Sequence, residues 1–128
     1  MPKYEIEPVC FPNLHHHTIV GLLTGLTLEE IEPVASTNRI WYTKTYLEVF
    51  HTLGFSTNPR FKPFDPDTEY PCIMRCKEVG KENGYWYGWV YNNGLVYDTN
   101  GHEAITFDQW INFYKDYYRV TSMLQVWI

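Results

Sequence analysis

The sequence predicts an α+β fold in which N-terminal helices pack on a mostly antiparallel sheet. Three observations carry this expectation. Helix patterns and helix punctuation fill residues 10–54. Strand patterns take over from residue 70. An Asn93-Gly94 pair, the strongest short hairpin signal, joins two of those strands.

Each element has a local justification. A first helix is expected to start near Cys10, with Pro12 in its first turn, where a missing N–H costs nothing, and Gly25 at its end. Thr27 and Glu30 form a capping-box pattern for a short second helix stopped by Pro33. Residues 43–53 read as a third helix, because Tyr46, Val49, Phe50 and Leu53 recur on one stripe and Gly54 follows. Residues 58–71 hold four prolines and read as an irregular loop that covers or flanks a groove. Strands are expected over 70–77, 85–92, 95–99 and 119–128. Between the last two, residues 106–118 read as a fourth helix capped by Thr106 and Gln109.

With 128 residues, the chain suits a single domain spanning 1–128, large enough to bury a core without metal or disulfides. The net charge of −5 and the lack of any Lys/Arg run argue against a nucleic-acid partner. No apolar run is long enough for a membrane span, and the N-terminus lacks the pattern of a secretory signal. The expected location is the cytoplasm. Three cysteines, an odd number, speak against a disulfide framework. Cys72 and Cys76 fall on one face of a strand, with no second ligand pair at finger-like spacing, so they read as packed thiols. Neither a metal nor another cofactor is expected.

The aromatic share is 18%, with eleven Tyr and five Trp. A core this small cannot hide all of those rings. The excess is expected to line a groove or an interface, where an amphipathic ring is most useful.

The segment CFPNLHHHTIVGLLTGLTLEEIE, followed late in the chain by YGWVYNNGLVYDTNG, resembles small papain-like cysteine peptidase-fold proteins of bacteria and phages, related to C39-like peptidases. In that group a Cys heads a helix. A late hairpin then brings a His, an Asn/Asp-Gly turn and a Tyr-Asp step. The resemblance implies a papain-like fold with Cys10 at the nucleophile position and Asp98 as the residue that orients the base. The chemistry agrees, since a thiol at a helix N-terminus is favoured as thiolate and first-turn amides can stabilise an oxyanion. The pattern departs at the base: Trp86 or Tyr87 stands where the family has its His.

The hairpin register offers one substitute. With Asn93-Gly94 at the turn, Trp89 faces Asp98, Tyr87 faces Asn100 and Tyr85 faces His102. Alternation then sets Tyr85, Tyr87 and Trp89 on one face with Asp98, Asn100 and His102, making His102 the candidate replacement base. Of His15, His16 and His17, helical geometry spreads the three rings by about 100° each, so they cannot share one metal. His17 falls on the Cys10 side and is the one expected near a groove. His51 is expected to complement a helix C-terminus or to lie in the core.

Three functions follow. The leading expectation is a catalytically degenerate papain-like domain that binds a protein or peptide, as an accessory or host-interaction factor. The first alternative is an active thiol hydrolase (peptidase, amidase or deamidase) using Cys10 with His102 and Asp98. The second is a structural or assembly protein with an aromatic homo-oligomer interface. General-base assistance is worth about 10²–10⁴-fold, and its absence places the first reading ahead.

Overall fold

A computed structural model describes residues 5–36 and 41–128 of the chain. The reading of the N-terminus as unlike a signal rests partly on residues 1–4, outside that range.

Four helices and seven strands follow one another as α1 (His15–Thr24), α2 (Leu28–Ile31), α3 (Thr43–Thr52), β1 (Ser56–Thr57), β2 (Lys62–Pro63), β3 (Cys72–Glu78), β4 (Tyr85–Asn92), β5 (Leu95–Tyr97), β6 (Ile105–Thr106), α4 (Phe107–Tyr114) and β7 (Tyr118–Trp127) among the described residues. The strand order is β1-β7-β3-β4-β5-β6, with β2 also on β7, and every pairing is antiparallel. The fold is therefore α+β with helices on a mostly antiparallel sheet.

The helix punctuation works locally. Thr27 and Glu30 close a reciprocal capping box on α2, and Thr106 and Gln109 do the same on α4. Gly25, with φ 74°, ends α1 in the left-handed conformation. Asn93 (φ 50°) and Gly94 (φ 82°) are both left-handed, as a tight primed turn between β4 and β5 requires.

Three expectations are corrected. The first helix starts at His15, not near Cys10. Pro12 and Asn13 sit in a turn closed by Leu14 N–H on the Phe11 carbonyl at 2.9 Å, and Asn13 adopts φ 62°. Asn tolerates that left-handed state, so the chain turns before it coils. The segment after Asn58 is not wholly irregular, because β2 pairs with β7. Its Pro63 is tolerated because the strand is at an edge. The fourth helix stops at Tyr114, and Tyr118 already begins β7.

The sheet separates two cores. One, beneath α1, α2 and α3, contains Ile19, Val20, Ile31, Tyr46, Phe50, Ile73, Val90 and Leu124. The other, beneath α4, contains Cys72, Met74, Cys76, Trp89, Tyr91, Trp110 and Met123. Strand β3 feeds both, Ile73 to the first and its two neighbours to the second, as period-two alternation dictates.

A bulge on β4 decides which rings reach the site. Met74 pairs with Trp89, but Cys76 pairs with Trp86. Two steps on β3 thus match three on β4, and the extra residue falls at Tyr87–Gly88. Alternation breaks there. Trp89 goes to the α4 core, while Tyr87 turns to the α1/α3 side. The expected common face of Tyr85, Tyr87 and Trp89 with Asp98, Asn100 and His102 is therefore not formed.

Candidate functional site

The site lies where the segment ahead of α1 meets the loop after β5. Cys10 is half-buried, five positions before the first residue of α1. Its Sγ donates to the Thr99 carbonyl at 3.4 Å. Gly101 packs beside it; a Cβ there would stand 3.4 Å from Cys10 Cβ, but the residue's φ of 81° favours glycine. Cys10 therefore lies ahead of α1 and not in its first turn, where the sequence had placed it.

Asp98 organises the loop. Its Oδ1 accepts from Asn100 N–H at 3.0 Å and His102 N–H at 3.2 Å. Its Oδ2 accepts from His102 Nδ1 at 2.5 Å. Cys10, Asp98 and His102 line one small cavity of about 160 Å³. The structure thus brings the three predicted catalytic residues together and joins two of them. The thiol is turned to Thr99 and not bonded to the imidazole, which remains 74% exposed.

His15 is the residue that sequence reasoning missed. It heads α1, the position the resemblance gives to a cysteine. Its Nε2 lies 2.6 Å from the Tyr87 carbonyl and its Nδ1 lies 2.6 Å from Thr99 Oγ1. A carbonyl only accepts, so Nε2 carries the proton. Burial pushes the ring's pKa down, opposed by the Tyr87 hydrogen bond. A neutral ring then accepts the Thr99 hydroxyl proton at Nδ1. Trp86 stacks on the same ring, with centroids 5.4 Å apart. The turn signal in Pro12-Asn13 would have revealed this, since moving the helix start past Asn13 puts His15 at its head.

The other two histidines tie α1 to different elements. His16 Nδ1 shares a hydrogen bond with the Tyr46 hydroxyl of α3 at 2.5 Å, and its ring stacks on Trp41. Burial, with His15 and His17 adding to it, lowers its pKa to about 4. His17 is 2% exposed and bonds the Ala35 carbonyl through Nε2 at 2.7 Å. It lines no groove, contrary to expectation. His51 is exposed in the last turn of α3, bonded to Thr57 Oγ1 at 2.9 Å.

The expected groove residues divide. A cleft of about 360 Å³ is lined by His15, Trp86, Trp89, Asp98, Thr99, Asn100 and His102, among others. Trp86 is 48% exposed on its rim. Trp89 itself is buried against Trp110, Tyr114 and Tyr118. Tyr87 bonds Thr43 Oγ1 of α3 at 2.8 Å and packs on Phe61 and Tyr46. Tyr85 lies over the Arg75 guanidinium at 4.2 Å. Tyr85 and Tyr87 therefore build the α1/α3 side of the sheet instead of the cleft.

The other two thiols are inert by environment. Cys72 and Cys76 are fully buried; burial pushes the Cys72 thiol well up, despite a Tyr91 backbone hydrogen bond, and Cys76 to about 12. Among the described residues, no group of three or more His, Cys, Asp or Glu is placed to hold a metal ion. No helix among them is long and apolar enough to cross a membrane.

No family model matches the chain, and no match was found among curated proteins or solved structures.

Proposed function

We propose that the chain is a catalytically degenerate papain-like domain that acts by binding a protein or peptide partner, as an accessory or host-interaction factor of phage or bacterial type. One observation carries the reading: the Cys10 thiol is spent on the Thr99 carbonyl, ahead of α1 instead of at its head. A nucleophilic thiol needs a base within hydrogen-bond reach and a source of thiolate stabilisation. In this arrangement the Cys10 thiol is bonded to the Thr99 carbonyl and to no imidazole among the described residues. What remains is a cleft with an exposed tryptophan on its rim and hydrogen-bonding groups along its wall. That is the composition of a peptide-binding surface.

A second reading has its own support. Asp98 holds His102 at 2.5 Å, and both share a cavity with Cys10. A rotation of the exposed imidazole toward the sulfur would complete a Cys-His-Asp set for acyl transfer.

The pH dependence of alkylation with iodoacetamide separates the two, with Cys10→Ser identifying the reacting thiol. The binding-domain reading expects slow modification of Cys10, a pH profile of an ordinary thiol, and no effect of His102→Ala. Fast modification at low pH that His102→Ala slows would overturn it in favour of the hydrolase.

A further inference from the structure

Beyond the first core, the α1/α3 side of the sheet ends in a cationic patch. Cys76, Tyr118 and Val120 pack toward α4, so alternation turns Lys77 and Arg119 to the other side. The two stand directly opposite each other across β3 and β7. Arg75, two positions back along β3, faces the same way. Its guanidinium lies 5.7 Å from the ring centroid of Phe61 and 6.0 Å from that of Tyr87, both of which pack on the first core. Three of the ten Lys and Arg of an acidic chain therefore share one spot.

This charge is not matched within the domain. Strands β3, β4 and β7 hold a single carboxylate, Glu78, which lies on the α4 side opposite Tyr118 and pairs with Lys81 at 3.1 Å. None of the three cations forms an ion pair among the described residues, and residues 1–4 and 37–40 contain no Asp or Glu. Like charges directly opposite each other on a ladder oppose strand pairing, so Lys77 and Arg119 cost stability in the free domain. Arg75 is held in place by Tyr85, whose ring centroid lies 4.2 Å from the guanidinium and which is itself 43% exposed. The Arg75 Nε is buried without an acceptor among the described residues. A guanidinium fixed on a ring and short of acceptors is preorganised for an oxyanion.

We propose that this patch docks a phosphorylated segment of a partner protein. Arg75, Lys77 and Arg119 gather around one phosphoryl group, and the exposed ring of Tyr85 covers the chain beside it. The spacing selects the occupant. Opposite residues are about 5 Å apart, and the next residue on the same face is about 7 Å along the strand. Three long side chains at that spacing converge on one compact dianion with three acceptor oxygens. A nucleic-acid strand or an extended acidic peptide would need cations strung along a track. Ser122, directly opposite Arg75, adds a hydroxyl donor on the same side. The proposal stands whether or not Cys10 reacts, because neither the cleft nor the Cys10 cavity is lined by these residues.

The test uses the full chain and fluorescein-labelled Gly/Ala peptides with one central phosphoserine. Control peptides carry Ser or Glu at that place. Polarisation reads affinity, and amide NMR shifts read the location. The phosphopeptide is expected to bind and to move the amides of residues 75–78 and 118–122, the Glu peptide to bind several-fold more weakly, and the Ser peptide not to bind. Lys77→Gln with Arg119→Gln is expected to reduce affinity about tenfold or more. The same variant is expected to keep or raise the melting midpoint, because it removes the cross-strand repulsion. A lowered midpoint with unchanged affinity would make these cations structural and overturn the proposal. Equal binding of the Ser peptide, or shifts confined to other elements, would also overturn it. So would binding of inorganic phosphate as tight as that of the phosphopeptide, which would make this a site for a free anion, or tighter binding of oligothymidine, which would make it a nucleic-acid face.

Discussion

His15 and Thr99 hold each other at 2.6 Å, ring nitrogen to hydroxyl, and through that bond the head of α1 is fastened to the loop after β5. The same threonine's carbonyl receives the Cys10 thiol. One residue thus joins the helix, the segment before it and the loop that carries Asp98 and His102. Thr99→Val keeps the shape and removes the hydroxyl. Nδ1 of His15 is then left without its donor, and a loss of about 1–3 kcal/mol is expected in urea denaturation. An unchanged midpoint would show that the bond contributes nothing.

Acid should loosen the helix that these histidines anchor. The folded-state pKa values of His15 and His16 lie below the unfolded value near 6.5, His16 at about 4. The unfolded chain therefore binds more protons in this window, and stability falls as pH falls. The contribution is fully present above about pH 6.5 and is lost as pH drops toward about 4. Thermal melts across this range should show the midpoint falling by several degrees. His16→Asn, which offers Tyr46 a side-chain acceptor without an imidazole, should flatten the slope. A slope the variant leaves unchanged would place the titration elsewhere.

Gly88 is where the β4 bulge and the cleft meet. A Cβ at this position would lie 2.2 Å from Trp86 Nε1 and 2.5 Å from its Cδ1. Gly88→Ala must push the indole off His15. Overpacking of this kind costs about 1–3 kcal/mol, though a half-exposed ring can escape into solvent and lower that figure. The decisive reading is fluorescence: the protein's tryptophan emission should shift to the red, and this shift should vanish in a Trp86→Phe background. An unshifted spectrum would mean that the ring does not rest over the glycine.

Trp110 anchors the α4 core through its ring alone. Trp110→Ala should cost about 3–5 kcal/mol by leaving a cavity among Trp89, Phe107 and Tyr114. Trp110→Phe should cost markedly less, because the lost indole N–H has no acceptor among the described residues. Chemical denaturation of the two variants checks the ranking, and equal losses would refute it.

Thiol counting gives a simple check on burial. In the native protein only Cys10 should react with Ellman's reagent on the assay timescale, and all three cysteines should react in denaturant. Early modification of Cys76 would show that the α4 core opens readily.

What the sequence made legible was whatever a few neighbouring residues decide. Thr27 with Glu30, Thr106 with Gln109, and Asn93-Gly94 each close a motif within their own reach, and each forms in the structure. The later helix start has a local cause too: Pro12 suits a first helical turn, but Asn13 turns left-handed beside it. The bulge at Tyr87–Gly88 is different. It shows only when β4 is laid against β3, although a glycine inside a strand is a hint of one. That single offset sends Tyr87 and Trp89 to opposite sides of the sheet. Cys10, Asp98 and His102 line one cavity, but the thiol's hydrogen-bond partner lay beyond sequence reach, because Cys10 and Thr99 meet across 89 residues of chain.

Strand β3 sits between β7 and β4 and contributes side chains to both hydrophobic layers. Neither layer can come apart without disturbing a strand on which the other depends. The two faces should therefore melt together in one cooperative step, and the amides of β3 should be the last to exchange with deuterium. A ligand seated over Arg75 would then protect α4 on the far side, simply by holding their common strand in place.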